Sequence, residues 1–402
     1  MHKFIGFIII VMLAISARHS LAEEKRVVVV GAGIVGASIT YHLALAGKEV
    51  TIIDMEGPAS HSSRGTFAWI NASWAKQPQH YHALNQKSTR YWHEISNKLS
   101  IPVKFKGSLE WFDAAERQQK LVAQIAEQQR WGEPAEILDL SEAEQREPNV
   151  QFGDTKFVAS SPRDGAVDPV LATKKLLTAA KQLGATVKYP CKLLSVQTSA
   201  EQSFAKTSCG DLPYHTLVLA VGAASDVIAS IAKVSIPQRT TPGIIVVSKP
   251  MKPLLNGILV APGVHIHQRL DGTIVLGEQE GAPKTQAHQV RLVDRPNSYP
   301  NEILAKQHAQ RIIDIATQYI PAMSNAEIKD VFIGWRPLPL DGHPVLGYSK
   351  NAPNVYIAVT HSGVTLAPLI GKLAAQEIMQ NKPNSMLEFY RPDRVFEQVK
   401  RY

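Results

Sequence analysis

The stretch "RVVVVGAGIVGASITYHLALAGKEVTIID", residues 26–54, decides the fold. Arg26–Val30 is a β-branched run with no polar interruption, as expected of a strand buried on both faces of a parallel sheet. Gly31, Gly33 and Gly36 then match G-x-G-x-x-G. Ile34 and Val35 open a helix expected to run to Ala46, with Gly47 suited to the residue just past its end. "EVTIID" is a second strand that closes on Asp54. Each part has a physical task in gripping a dinucleotide. Gly31 permits the tight turn, Gly33 lets the pyrophosphate reach the backbone, and Gly36 lets helix and strand pack closely. The phosphates meet the helix N-terminus, and the Asp54 carboxylate faces the ribose hydroxyls. That carboxylate repels a 2′-phosphate, which leaves NAD and FAD both compatible with the grip.

Upstream, "MHKFIGFIIIVMLAISARHSLAEEKR" has a short basic start, an apolar run from Phe4 to Ala17, and small residues at Ser20 and Ala22. The run is shorter than the ~20 residues of a comfortable membrane span. Residues 1–22 are therefore expected to be a signal peptide cleaved after Ala22, which makes the protein periplasmic or secreted. The competing readings are an uncleaved N-terminal membrane anchor and a cytoplasmic protein with a mis-assigned start codon. The chain has 402 residues, 45% of them hydrophobic, and a net charge of +8. That charge is dispersed, without a run of five Lys or Arg, so it suits a solvated surface better than a nucleic-acid face. No internal repeat or low-complexity tract interrupts it.

Two cysteines, Cys191 and Cys209, exclude a Cys-rich zinc site and a disulfide scaffold. They flank a hairpin pattern, "CKLLSVQTSAEQSFAKTSC", whose mirrored pairing about residue 200 would set them opposite each other. Two buried free thiols are the expectation, because a one-residue slip would turn the side chains apart. A bridge is the alternative.

Beyond Asp54 lies the Gly/Ser-rich loop "GPASHSSRGTFAWINASW", residues 57–74. A helix is expected from about Pro169, then the strand "TLVLAVGA". An antiparallel block of strand, hairpin and helix follows between Ile236 and Pro321, and βαβ character returns after Val331. The dinucleotide domain is thus expected to be discontinuous.

Six blocks, taken in order, carry a resemblance: "GAGIVGAS", "ASHSSRG", "DGAVDP", "VLAVGA", "GWRPLPLDGHPVLG" and "THSGVTLAPLIG". From about Lys25 to Asn384 the chain resembles the D-amino-acid oxidase family of flavoproteins, which includes glycine oxidase, sarcosine oxidase and bacterial D-amino-acid dehydrogenases. The resemblance implies an α/β fold, with a Rossmann-like FAD-binding domain from residues 25–98, 150–235 and 330–385. An α+β substrate domain with an antiparallel sheet would come from 99–149 and 236–329, and 386–402 would form a C-terminal tail. It chooses FAD over NAD.

The resemblance also implies roles. Gly31, Gly33, Gly36 and Asp54 would hold the ADP half, with Ser62 and Ser63 beside the phosphates. Leu193 would meet the adenine through its backbone, and Ala220 and Gly222 would line the turn over the cofactor. Ser362, Gly363, Val364 and Thr365 would border the flavin ring. Arg336, in the G-x-R-P block, would pair with a substrate carboxylate, for which a guanidinium fork is the matching shape. His265 falls where glycine-oxidase-like relatives place a tyrosine, and strand alternation turns His267 to the same face. His361 adjoins the flavin loop. The pair of histidines lacks a third ligand for a metal.

Two departures stand out: Asp54 replaces the more usual Glu, and Thr360 replaces Gly before His361. No cysteine lies near Trp335, which excludes a thioether to the flavin, and His61 is one residue off the position of a histidyl linkage. FAD is therefore expected to bind non-covalently. The implied activity is oxidation of the C–N bond of an amino acid or N-alkyl amino acid to an imine, with oxygen or a membrane quinone as acceptor. The rival readings are a non-catalytic flavin-binding assembly or accessory protein, and a NAD-dependent dehydrogenase. A nucleic-acid role would need a second catalytic domain for which the chain has no room.

Overall fold

A computed structural model describes residues 26–73, 76–199, 202–239, 242–279 and 301–398. The proposed leader lies outside the described residues. In chain order the principal elements are β1 (Arg26–Val30), α1 (Ile34–Leu45), β2 (Glu49–Ile53), α2 (Gln79–Leu99), β3 (Ser108–Glu110), β4 (Glu136–Leu138), β5 (Val158–Ser161), α3 (Pro169–Gln182) and β6 (Thr186–Lys188). They continue with β7 (Thr216–Leu219), β8 (Pro242–Ser248), β9 (Ile258–Ala261), β10 (Val264–Gln268), β11 (Ile274–Glu278), α4 (Glu302–Tyr319), β12 (Ile328–Trp335), β13 (Val345–Ser349), β14 (Ala352–Val359) and α5 (Gly363–Gln380).

Two sheets organise the chain. The first has the order β13-β14-β7-β1-β2-β6, and its central pairs are parallel. Its four consecutive valines are buried because helices cover one face and the 193–214 hairpin region covers the other. Helices α1 and α5 cross on that sheet at Gly371, where a Cβ would come within 2.3 Å of Ser38 Oγ. Asp168 caps α3 by accepting from the N–H groups of Val170 and Leu171, with Pro169 at the first helical position.

The second sheet has the order β12-β8-β11-β10-β9-β3-β5-β4. It is antiparallel except where β9 meets β3. One face packs on α4 through Ile312, Ile313 and Ala316 against Leu259, Val264, Ile266 and Leu276. The other face looks toward the first sheet's loops.

Two expectations are corrected. Strands β5 and β12, expected to belong largely to the dinucleotide domain, hydrogen-bond into the second sheet. Periodicity marks a strand but not the edge it pairs with. Cys191 and Cys209 form a disulfide, not free thiols. Leu193 stands opposite Thr207, so the register brings the two cysteines face to face with Cα atoms 5.4 Å apart. Within the C-terminal tail, Leu387 and Tyr390 are buried, Arg391 pairs with Glu377, and Arg394 pairs with Asp341. Among the described residues, no helix is long and apolar enough to cross a membrane.

Candidate cofactor and substrate site

The glycine loop lies at the carboxyl ends of β1 and β7, where open α/β sheets bind ligands. Gly31 has a φ of +102°, and a Cβ there would sit 2.4 Å from Ala220 O. A Cβ on Gly36 would sit 1.9 Å from Gly31 O, so helix and turn meet at a distance that only glycine allows. Asp54 holds this loop from the end of β2. One carboxylate oxygen accepts from Ala32 N–H at 2.7 Å, and the other accepts from Glu56 N–H and Gly57 N–H. Three donors leave the carboxylate room to accept from a ribose hydroxyl. Behind it, Cys191 N–H donates to Asp54 O, which brings the strand start at Leu193 within two residues of the acid. Gly222 has a φ of +58° in the turn after β7.

Ser63 Oγ accepts from Ile34 N–H at 3.0 Å, at the first turn of α1. Its hydroxyl therefore stands where phosphates meet a helix N-terminus. Ser62 is directed elsewhere: its hydroxyl donates to Trp335 O and ties the loop to β12. The same junction is closed by two glycines. A Cβ on Gly65 would lie 2.6 Å from the Gly334 backbone.

The start of α5 approaches the glycine loop, since a Cβ on Gly363 would be 3.5 Å from Val35 Cγ2. The leading N–H groups of a helix have no intrahelical acceptor, and the resemblance sets the flavin ring at this end. Ser362 Oγ is hydrogen-bonded to Tyr81 OH at 2.8 Å. Thr365 is a fastening: its hydroxyl donates to Trp69 O and accepts from Asn71 N–H, and its carbonyl accepts from Ser88 and Trp92. Its side chain thus belongs to the frame. His361 is half-buried in the loop before this helix.

The second sheet supplies the other wall. Gly243 stands opposite Gly334, Ile245 opposite both Phe332 and Gly277, and Gly277 opposite His265. Side chains at these positions share one face. Three glycines on it each receive something: Gly334 receives the Gly65 backbone, Gly277 receives Ile245 and Phe67, and Gly243 receives the Arg336 guanidinium. A Cβ on Gly243 would be 3.1 Å from Arg336 Nε. Phe67 lies against His265 and His267, with ring centroids 5.5 and 4.8 Å apart, and Trp69 lies 6.1 Å from His265. The shared face expected for the two histidines is observed.

Both imidazoles are neutral. Burial, helped by the Arg336 charge, pushes the His265 pKa down to about 3. Burial and the Arg269 charge push His267 to about 3 as well, against the opposing effect of a bond to Phe67 O at 2.8 Å. A carbonyl only accepts, so His267 carries its proton on Nε2. Behind Trp69 sits buried Asp164, whose Oδ2 accepts from Trp69 Nε1, Ser73 Oγ and Ser108 Oγ at 2.7–2.9 Å. Burial outweighs these donors and raises its pKa to about 7. Among the described residues no group of three His, Cys, Asp or Glu is placed to hold a metal ion.

Arg336, His265 and the loop carrying Ser62 and Ser63 thus converge where the two sheets face each other. Phe67, Trp69 and Asp164 were not singled out in the sequence. Phe67 and Trp69 stood in a stretch read as a Gly/Ser-rich loop, and their interleaved aromatic spacing was the usable signal.

The profile of the family described as "FAD dependent oxidoreductase" (DAO) matches residues 26–377. An opine oxidase subunit from Agrobacterium tumefaciens (strain Ach5) is 24% identical over 369 residues, which cover 88% of this chain and 93% of that protein. Glycine oxidase of Bacillus licheniformis is 23% identical, covering 88% and 93%. Among solved structures, L-proline dehydrogenase from P. horikoshii superposes with a TM-score of 0.79 at 23% identity, covering 92% of this chain and 97% of that one.

Proposed function

The chain belongs to the FAD-dependent oxidoreductase family DAO, and on that premise we propose that it oxidises the C–N bond of an amino acid or N-alkyl amino acid to an imine, which water then hydrolyses. FAD is the family's cofactor, and the residues present fit it. The Gly31–Gly36 cradle leaves no room for side chains, Asp54 retains acceptor capacity for a ribose, and Ser63 marks a helix N-terminus suited to phosphate. When bound, FAD would supply the two-electron acceptor for this oxidation.

The observation that carries the proposal is Arg336 lying over Gly243, beside neutral His265, on the sheet face to which the cofactor loop is locked. Arg336 is then a cation on this face for a substrate carboxylate, and its fork fixes the substrate's orientation. His265, with a pKa of about 3, acts as a neutral wall and hydrogen-bonding group and not as a base at neutral pH. Phe67 and Trp69 screen the pocket from water. The amine enters unprotonated, and no side-chain base is needed. The names of the relatives, opine oxidase and glycine oxidase, support an amino-acid-type substrate. Oxygen or a membrane quinone is the acceptor.

The test is anaerobic mixing of the FAD-bound protein with D- and L-amino acids, sarcosine and glycine. Bleaching of the flavin absorbance by any of them supports the proposal. Failure of all, with a stable flavin spectrum, favours an accessory flavoprotein instead.

We also infer export. The Cys191–Cys209 bridge is of the kind that persists in oxidising compartments, in keeping with residues 1–22 as a cleaved leader. N-terminal sequencing of the native protein should begin near Glu23, and a start at Met1 would refute cleavage.

A further inference from the structure

Gln279 directly follows β11. Its neighbour Glu278 turns toward α4 and pairs with Arg311, so alternation turns Gln279 to the face shared by Gly277 and His265. The side chain is 7% exposed. Its Oε1 accepts from Gly263 N–H at 3.1 Å, which fixes the carboxamide over β10's leading edge, two residues before His265. Its Nε2 is buried and has no hydrogen-bond partner among the described residues. A buried donor left without an acceptor is costly.

Arg336 lies over the neighbouring strand on the same sheet face. Extending the Ile245–Gly277 register by two residues sets Gly243, under the guanidinium, opposite Gln279. Gly263 immediately precedes β10, the strand on the other side of β11. Across the sheet, guanidinium and carboxamide are therefore offset by about two strand spacings, roughly 10 Å, with His265 on the same face.

We propose that Gln279 is the second anchor of the substrate pocket and that the substrate is an amine bearing two carboxylates, one held by Arg336 and the other accepting from Gln279 Nε2. This rests on the reading of Arg336 given above. A donor with no protein acceptor selects for a ligand that brings one, and a carboxylate is the strongest acceptor available. A site built this way rejects the analogue that lacks the second group, because its buried donor is then left unpaired.

The proposal is tested with two ether analogues that offer no C–N bond to oxidise: oxydiacetate, with two carboxylates, and methoxyacetate, with one. Each is titrated into the FAD-bound protein while the flavin absorbance is followed. Oxydiacetate is expected to bind at least about tenfold tighter. Gln279→Leu should abolish that preference by weakening oxydiacetate more than methoxyacetate, and Gln279→Glu, similar in size but lacking the donor, should weaken oxydiacetate selectively. FAD content and melting temperature report folding, and if the Leu variant misfolds the Glu variant decides. Equal binding of the two ligands by the native protein, or a preference that survives both substitutions, overturns the role of Gln279 and leaves Arg336 untouched. If Arg336→Leu alters neither titration, the carboxylate reading of Arg336 fails, and this proposal fails with it.

Discussion

Gly65 and Gly334 meet backbone to backbone: a Cβ added to Gly334 would stand 2.0 Å from Gly65 O. This contact, with the Ser62–Trp335 bond beside it, joins the cofactor loop to the strand that leads into Arg336. Gly334→Ala must push loop and strand apart, an overpacking change that costs about 1–3 kcal/mol. The expected result is a lower melting temperature together with less FAD retained per chain after desalting. A variant that retains full FAD would show that the junction does not position the cofactor loop.

Asp54 joins the glycine loop, the following turn and the expected ribose position through one carboxylate. Asp54→Asn keeps the shape but points an NH2 group at backbone N–H donors. Hydrogen bonds to a charged acceptor contribute about 1.5–3 kcal/mol each, so FAD should bind at least tenfold more weakly. Flavin fluorescence during titration of the apoprotein measures this, and an unchanged affinity would remove Asp54 from the grip.

The disulfide closes a loop with a sequence separation of 18 residues, for which chain-entropy arguments give about 3 kcal/mol. The denatured protein should show no reactive thiol before reduction and two after it. The Cys191→Ser, Cys209→Ser double variant should unfold at lower denaturant. It should also hold FAD less tightly, because Cys191 N–H bonds Asp54 O. Reactive thiols in the unreduced, denatured protein would contradict the bridge.

The first sheet was legible because its signals are local. The valine run, the three glycines, Asp54, and the Asp168-Pro169 helix start each announce their structure within a few residues. The disulfide turned on a register that a one-residue slip would have reversed. Strands β5 and β12 pair in the second sheet although their residues fall largely in ranges read as dinucleotide domain, because pairing partners are set across the chain and leave no mark on hydrophobic periodicity. Near the candidate site, the block carrying Arg336 marks the residue in the sequence, and the structure places it over Gly243. Gln279 and Asp164 were not, since a glutamine after a strand and an aspartate before a glycine look like ordinary turn residues. Their burial comes only from what folds over them.

Asp164 has a pKa raised by burial to about 7 from its ordinary 3.8. Between those values the folded protein keeps a proton there that the unfolded chain has released. Its contribution to stability is thus fully present below pH 4 and is lost as the pH rises through 7, at about 1.4 kcal/mol per pH unit. Asp164→Asn keeps a neutral acceptor for Trp69 and removes the titration. Urea unfolding at pH 5, 6 and 7 should show stability declining more steeply with pH in the native protein than in the variant. Equal slopes would refute the assignment.

Arg336 stays charged at every accessible pH, while His265 and His267, both lowered to about 3, stay neutral above pH 5. Affinity for a carboxylate ligand should therefore carry no step from these two histidines between pH 5 and 8 when measured in Asp164→Asn, which removes the titration near 7. Arg336→Leu should lower kcat/KM at least about thirtyfold, since removing one partner of a buried charge pair costs about 2–5 kcal/mol. Arg336→Lys keeps the charge but loses the fork, so it should fall between the two and lose kcat as well as KM, because the Cα–H is no longer aimed. Gly243→Ala provides the independent check. Its Cβ would intrude to 3.1 Å from Arg336 Nε, displacing the guanidinium without deleting it. A drop in carboxylate affinity with FAD content unchanged would assign the effect to where Arg336 stands on the sheet. Native affinity in this variant would show that its place over Gly243 is incidental.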